Sequence, residues 1–404
     1  MKASMPKIPL MRPWMDEREA EAARRVILSG WVTQGPEVLA FEREFAAAVG
    51  APHACAVANC TAALHMALIG VGAGPGDEVV TASHSFIATA NSVRYTGATP
   101  VFVDVDIDTG NIDPVLVEQA INDRTKAILC VHQIGMPCDL GRLVEIGHRR
   151  GVPVIEDAAC AAGSEIRWDG QWEPVGRPRG LVACFSFHPR KVLSTGDGGM
   201  LTTCDPELDQ RFRLLRQHGM SVPDAVRHAS PTITFEEYHE PGFNYRMTDI
   251  QAAVGREQLK RLPAMVARRR AMAARYADAL AGLPGVRAPR EPEWGRSNWQ
   301  SYAVRLVNGD DQRDVMQRML DAGVSTRRGV MNAHREAAYP PGSWYCGVSH
   351  AACACGGPGG CGCLRRGEEL QDTSIVLPLF HQMTGTELDL VVAALAAALR
   401  PPRA

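Results

Sequence analysis

The chain has 404 residues, 46% of them hydrophobic and 22% charged, and its 43 Lys and Arg against 45 Asp and Glu give a net charge of −2. That length exceeds one typical core, so two domains are expected, and the near-balanced charge gives no sign of a nucleic-acid or membrane partner. No run of about eighteen apolar residues occurs, so no membrane-spanning helix is expected.

The N-terminus, Met1 to Pro6, carries a charge but no apolar stretch, so it is not read as a signal peptide and a cytoplasmic location is expected. Seven of the twelve cysteines fit that location: Cys55, Cys60, Cys130, Cys138, Cys160, Cys184 and Cys204 are scattered through apolar or motif segments, as reduced core cysteines are. Apolar strand-like runs follow in order at 54–58, 78–82, 100–105, 127–131, 153–155, 181–187 and 200–203. Helical patterns separate most of them, for example at 61–71, 114–121 and 140–149. Alternating strands and helices imply an α/β fold, here a mostly parallel seven-stranded sheet with helices on both faces. Ligands of such sheets bind at the carboxyl ends of the strands. After Thr248 the pattern changes to one long helix, about 248–280, that leads into a smaller C-terminal α+β domain. The division expected is 1–262 for the large domain with its N-terminal arm and 263–404 for the small one.

Three segments carry chemistry. In Asn59-Cys60-Thr61-Ala62-Ala63-Leu64 a short strand feeds a polar turn and a helix start, where backbone amides and the Thr61 hydroxyl suit a phosphate. In Val154-Ile155-Glu156-Asp157-Ala158-Ala159 a strand ends in an acidic pair, and Asp157 could hold a pyridinium nitrogen protonated. In the stretch from Phe185 to Met200 an apolar strand runs into a polar turn carrying Lys191, then a Gly-Asp-Gly-Gly turn. A lysine at the mouth of a buried strand can be desolvated, which lowers its pKa and frees the amine for Schiff-base chemistry. Singly these read as a capped helix, a strand-end acid and a surface lysine. Together, in this order, they supply a phosphate cup, a pyridinium partner and a Schiff-base lysine.

With these segments in place the chain resembles the PLP-dependent sugar aminotransferases of the DegT/StrS family, a fold type I group. Further motifs carry the likeness: Gly30-Trp31-Val32-Thr33-Gln34-Gly35-Pro36 with Phe41-Glu42, Ser83-His84-Ser85-Phe86-Ile87-Ala88-Thr89-Ala90-Asn91, and Gly242 to Ala253. It runs from about Pro9 to the C-terminus with an interruption near 341–365. The resemblance implies that Lys191 holds pyridoxal 5′-phosphate and moves the proton, and that Asp157 partners the pyridine nitrogen. It further implies that Phe86 stacks on the ring, and that Thr61, Ala62 and Ser186 hold the phosphate. It places Asn244 at the phosphate of the neighbouring subunit, which makes a homodimer with shared sites the minimum unit. Three positions depart from the family pattern: Cys60 stands for the usual glycine, Cys160 for glutamine or histidine beside the phenolic oxygen, and Asp197 for glutamate. Candidate substrate residues are Thr33, His188, Arg246, Arg327 and His334.

The implied reaction converts a keto sugar, nucleotide-linked, to an amino sugar with glutamate or glutamine as donor. A cyclitol or free keto sugar is the alternative substrate, and a non-catalytic regulatory or binding protein on the same fold is the alternative class. The interruption holds Cys346, His350, Cys353, Cys355, Cys361 and Cys363 amid glycine and alanine. Soft thiolates could form a tetrahedral zinc site. The Cys-x-Cys pairs lack the Cys-x-x-Cys spacing of common zinc sites, and the glycines favour an unliganded loop. No metal is therefore expected, with zinc on Cys346, Cys353, Cys355, Cys361 and Cys363, or disulfides, as alternatives.

Overall fold

The computed structural model describes residues 8–222, 227, 230–233, 235–347 and 361–399. Its main sheet is built from β1 (His53–Val57), β2 (Glu78–Ala82), β3 (Thr99–Val103), β4 (Thr125–Val131), β5 (Val154–Asp157), β6 (Val182–Ser186) and β7 (Gly199–Thr203). An eighth strand, β8 (Tyr345–Cys346), extends the edge beyond the seven expected. The order is β1-β7-β6-β5-β4-β2-β3-β8; only β7 runs antiparallel to its neighbours β1 and β6. The eighth strand went unexpected because two residues in a cysteine- and glycine-rich segment show no alternation.

Successive residues of the central strands point into different cores. Val79, Leu129, Ile155, Val182 and Cys184 join one apolar cluster, while Val80, Ile128, Val154, Ala183 and Phe185 join another on the opposite face. Burial on both faces is why these strands read as continuous apolar runs. The helix α1 (Cys60–Gly70) covers the first face through Leu64 and Leu68. On the second face Phe45 meets Phe185 edge-on at 5.0 Å, and Phe41 lies 5.3 Å from Phe187. Each such pair adds about 0.5–1.5 kcal/mol beyond area burial.

A 32-residue helix, α2 (Asp249–Leu280), is started by a Thr248 cap that pairs reciprocally with Gln251. It carries Leu259, Leu262, Met265 and Val266 into the first domain's core, and Met272, Ala273, Tyr276 and Leu280 into a second. That second core lies against a four-stranded antiparallel sheet formed by β9 (Val286–Arg287), β10 (Tyr302–Leu306), β11 (Arg327–Arg328) and β12 (Ser374–Leu377), in the order β9-β10-β12-β11. A hairpin of Glu165–Trp168 and Gln171–Pro174 turns at Asp169 and Gly170, both at positive φ, as a two-residue hairpin loop requires. No helix among the described residues is long and apolar enough to cross a membrane.

Candidate active site

The carboxyl ends of β4, β5 and β6 open into a cavity of about 450 Å³. Its lining includes Asn59, Cys60, Thr61, Phe86, Gln133, Asp157, Cys160, Ser186, His188, Lys191 and Arg327. Lys191 sits on the loop after β6. Both ends of that loop close on Phe187, whose amide donates to the Gly198 carbonyl at 2.8 Å and whose carbonyl accepts from the Thr195 amide at 2.9 Å. The loop is thereby anchored to the aromatic cluster behind it. Lys191 Nζ donates to Cys160 Sγ at 3.0 Å. Burial favours the neutral amine, but Cys160, Cys60 and Asp157 favour the ammonium, and the net shift is upward. The downward shift expected from desolvation alone is thus overturned by the neighbours.

Asp157 ends β5 and is only 5% exposed. Among the described residues its carboxylate accepts from the Thr89 hydroxyl at 2.7 Å and the Ala159 amide at 3.1 Å. Burial raises its pKa, while Thr89, Ala159, Lys191 and His132 oppose that. A buried carboxylate with only neutral hydrogen-bond donors suits a protonated ring nitrogen. Beside it, His132 Nε2 donates to Glu156 at 3.0 Å and His132 Nδ1 accepts from the Cys138 amide, with both side chains of the His132–Glu156 pair fully buried. This pair ties the ends of β4 and β5 together.

At the start of α1 the Asn59 side chain caps the helix by accepting from the Ala62 amide at 2.9 Å. Ala62 is therefore committed to the cap and does not line the cavity, contrary to expectation; Asn59 lines it instead. The Cys60 and Thr61 amides find no acceptor among the described residues. Two open amides at a helix N-terminus, with the Thr61 and Ser186 side chains on the same cavity, suit a phosphate. Cys60 turns its thiol to the Cys184 carbonyl at 3.5 Å. Close approach here is supplied by Gly199: a Cβ on it would come within 2.6–2.8 Å of the Asn59 carbonyl and the Cys60 nitrogen. Phe86, 54% exposed on the cavity wall, offers an aromatic face to a ring. The residues present thus fit PLP.

The mouth is cationic. Arg190, Arg327 and Arg328 line it, and neither Arg190 nor Arg327 has a carboxylate within 4.0 Å among the described residues, whereas Arg328 reaches Glu336 at 3.7 Å. His188 lines the cavity; burial and Arg190 lower its pKa, and its Nδ1 accepts from the Arg190 amide. Besides Ala62, four expected site residues, His334, Asn244, Arg246 and Thr33, are outside the cavity lining. His334 is corrected to a structural role: it is buried, with Nδ1 at 2.7 Å from the Ser83 hydroxyl and Nε2 at 2.9 Å from Glu368. Asn244 pairs with Gln217 and accepts from Arg246 Nε at 3.2 Å, away from this chain's cavity. Thr33 is exposed and its carbonyl accepts from the Asp249 amide. Thr89, His132 and Glu156 were not singled out from sequence; Thr89 and Glu156 lay within motifs, but a helix hydroxyl and a strand-end acid are ordinary, and His132 lay in none.

Comparison with known proteins gives the family. The profile of the DegT/DnrJ/EryC1/StrS aminotransferase family matches residues 13–396. The chain is 42% identical over 299 residues to the spore coat polysaccharide biosynthesis protein SpsC of Bacillus subtilis (strain 168), covering 74% of this chain and 76% of that one. DesV of S. venezuelae, solved in complex with a ketimine intermediate, superposes with a TM-score of 0.84 at 34% identity, over 98% of this chain and 100% of its own. Spr1654 of Streptococcus pneumoniae, solved in its PLP form, gives a TM-score of 0.85 at 26% identity, over 97% of this chain and 98% of its own. The chain belongs to the DegT/DnrJ/EryC1/StrS aminotransferase family and is a PLP-dependent transaminase.

Proposed function

We propose that the chain aminates a nucleotide-linked keto sugar with glutamate or glutamine as the amino donor. The observation that carries this reading is that Lys191 and Asp157 share one cavity whose mouth holds Arg190 and Arg327, neither with a carboxylate partner among the described residues. Unpaired guanidiniums suit phosphate and carboxylate, the charged parts of a nucleotide-linked sugar and of an amino-acid donor. A free cyclitol carries no anion for these arginines, which would then serve the amino-acid donor alone. The polysaccharide role named for SpsC also supports a sugar substrate.

Bound PLP supplies an electron sink for the carbon that loses or gains a proton. Lys191 would hold it through Nζ, and Nζ, once released, would carry the proton to and from the reacting carbon. The hydrogen bond to Cys160 fixes where that amine points. Asp157 would keep the ring nitrogen protonated through a charge-assisted bond. Thr89 and the Ala159 amide hold the carboxylate in place. Asn59 shapes the helix start that would take the phosphate, Phe86 would cover the ring, and Cys160 would stand beside its phenolic oxygen.

The test is a panel of keto sugars offered to the pyridoxamine form of the purified protein, scored by its spectral return to the PLP form. Nucleotide-linked keto sugars should react, and Arg327→Ala should raise their KM more than it lowers kcat. Equal reaction with free cyclitols or unphosphorylated keto sugars would favour the alternative substrate. A protein that neither accepts an amino group from any donor nor returns it to any keto compound would sink the enzymatic reading.

A further inference from the structure

Outside the cavity lining, the edge of the main sheet carries a second cluster of reactive side chains. Cys346 lies in β8, which pairs in parallel with β3. Cys361 and Cys363 lie in the turn closed by the Leu364 amide on the Cys361 carbonyl at 2.9 Å. That turn opens the helix α3 (Arg365–Thr373). The three sulfur atoms lie within 4.8 Å of one another, and no disulfide joins them. Cys346 is in hydrogen-bonding contact with both of the others.

The surroundings are those of a built site. Cys346 and Cys361 are buried and Cys363 is partly buried, packed with Phe102, Tyr339, Trp344 and Leu364. The Cys361 amide donates to Glu368 at 3.0 Å, and the same carboxylate accepts from His334, so the turn is braced from behind. An odd number of thiols also matters: one disulfide would leave a third sulfur stranded in an apolar pocket. In a tetrahedral thiolate site with Zn–S bonds of about 2.3 Å the sulfurs stand about 3.8 Å apart, which needs only a small contraction of this trio.

We propose that Cys346, Cys361 and Cys363 bind one Zn2+ as a structural site that ties the edge strand of the main sheet to the start of α3. Each thiol gives its proton to solvent as its sulfur–zinc bond forms, and no oxidation state changes. The fourth corner of the tetrahedron takes water or one further donor of the chain. Cys353 and Cys355, the other candidates from sequence, lie outside the described residues. The site has a mechanical consequence. The amides of Arg366 and Gly367 both donate to Asp104, after β3, at 2.9 Å, and α3 runs directly into β12 of the small sheet. Metal at its first turn would fix the connection between the two sheets.

The experiment uses the full-length holoenzyme, purified reduced and dialysed free of loose metal. Elemental analysis should find about one zinc per chain. The variants C346S, C361S and C363S should each fall to about a tenth of that or less, with a lowered melting temperature and PLP still bound. Should a variant fail to fold, wild-type protein stripped by chelator decides. It should bind Co2+ with tetrahedral thiolate bands in the red, where PLP does not absorb, and its PLP content should be unchanged by the exchange. Wild-type protein that holds no zinc at saturating metal, three variants with undiminished zinc, or an intact mass showing a disulfide among these cysteines would overturn the site. None of these results depends on which keto substrate the enzyme takes.

Discussion

Lys191 is one of only five lysines in the chain, and among the described residues it is the lysine that lines the cavity. Borohydride reduction of the PLP form followed by peptide mapping should therefore label Lys191, and a label on Lys126 or Lys260 would refute the assignment. Lys191→Ala should stay folded and lose about 10²–10⁴-fold in transamination, the range for removing a positioned proton-transfer group. Asp157→Asn should cost about 10²–10³-fold in turnover while PLP stays bound through its phosphate contacts. The same residue makes a stability prediction. Burial raises the Asp157 pKa above its unfolded value, so the native chain holds this proton more firmly. The stabilisation is complete below the unfolded pKa and is lost as pH rises through the folded pKa. Cofactor-free Asp157→Asn should thus melt higher than wild type at neutral pH, with the gap closing as pH falls into the carboxylate range. Equal melting curves across that range would show that the buried charge costs nothing. That Lys191 and Asp157 would share a cavity was legible because a strand end followed by a polar residue is a local pattern. That Ala62 and His334 do not line the cavity was not legible for the converse reason: whether an amide is spent on a cap, or a histidine on Ser83 and Glu368, depends on partners that sequence does not display.

Among the elements, the phosphate end rests on how closely α1 approaches β7. Gly199 pairs with Val57 on one side and Ser186 on the other, and has no room for a side chain. Gly199→Ala should push the Asn59–Cys60 peptide away and weaken PLP binding about tenfold or more, in line with a typical overpacking cost of about 1–3 kcal/mol. Equilibrium dialysis measures this directly; unchanged affinity would mean that the helix start does not hold the phosphate. The seven expected strands and the long helix were readable because continuous apolar runs and a 3.6-residue period survive in sequence. Element ends were less so, and shifted by up to two residues where caps and bridges decide. The Asp169-Gly170 pair is a hairpin signal, yet four-residue strands on each side carry too little alternation to be assigned by period. The edge strand at Cys346 had no periodic signal, and only its pairing with β3 identifies it.

For the whole molecule, two features bear on how the chain is organised. We place the domain boundary inside α2, between Val266 and Met272, a few residues beyond the division at 262, because the helix changes cores there. The second feature is exposed apolar surface: Ile27, Leu28, Val32 and Leu39 on the N-terminal elements, and Phe235 and Tyr238 shortly before Asn244. Leu28 is 68% exposed and Phe235 86%, which is costly for a chain acting alone. We propose that a second copy covers this surface and that Asn244, which lies outside its own chain's cavity, reaches the partner's phosphate. Mixing inactive Lys191→Ala with an inactive Asn244→Ala variant should then restore activity. In a two-fold dimer the mixed species carries one site with both defects and one with neither. Random exchange of equal amounts makes half the dimers mixed, with one good site each, so recovery approaches about a quarter of the wild-type rate. Native mass spectrometry confirms that subunits have exchanged. If mixed dimers form and no activity returns, Asn244 serves its own chain or no site at all.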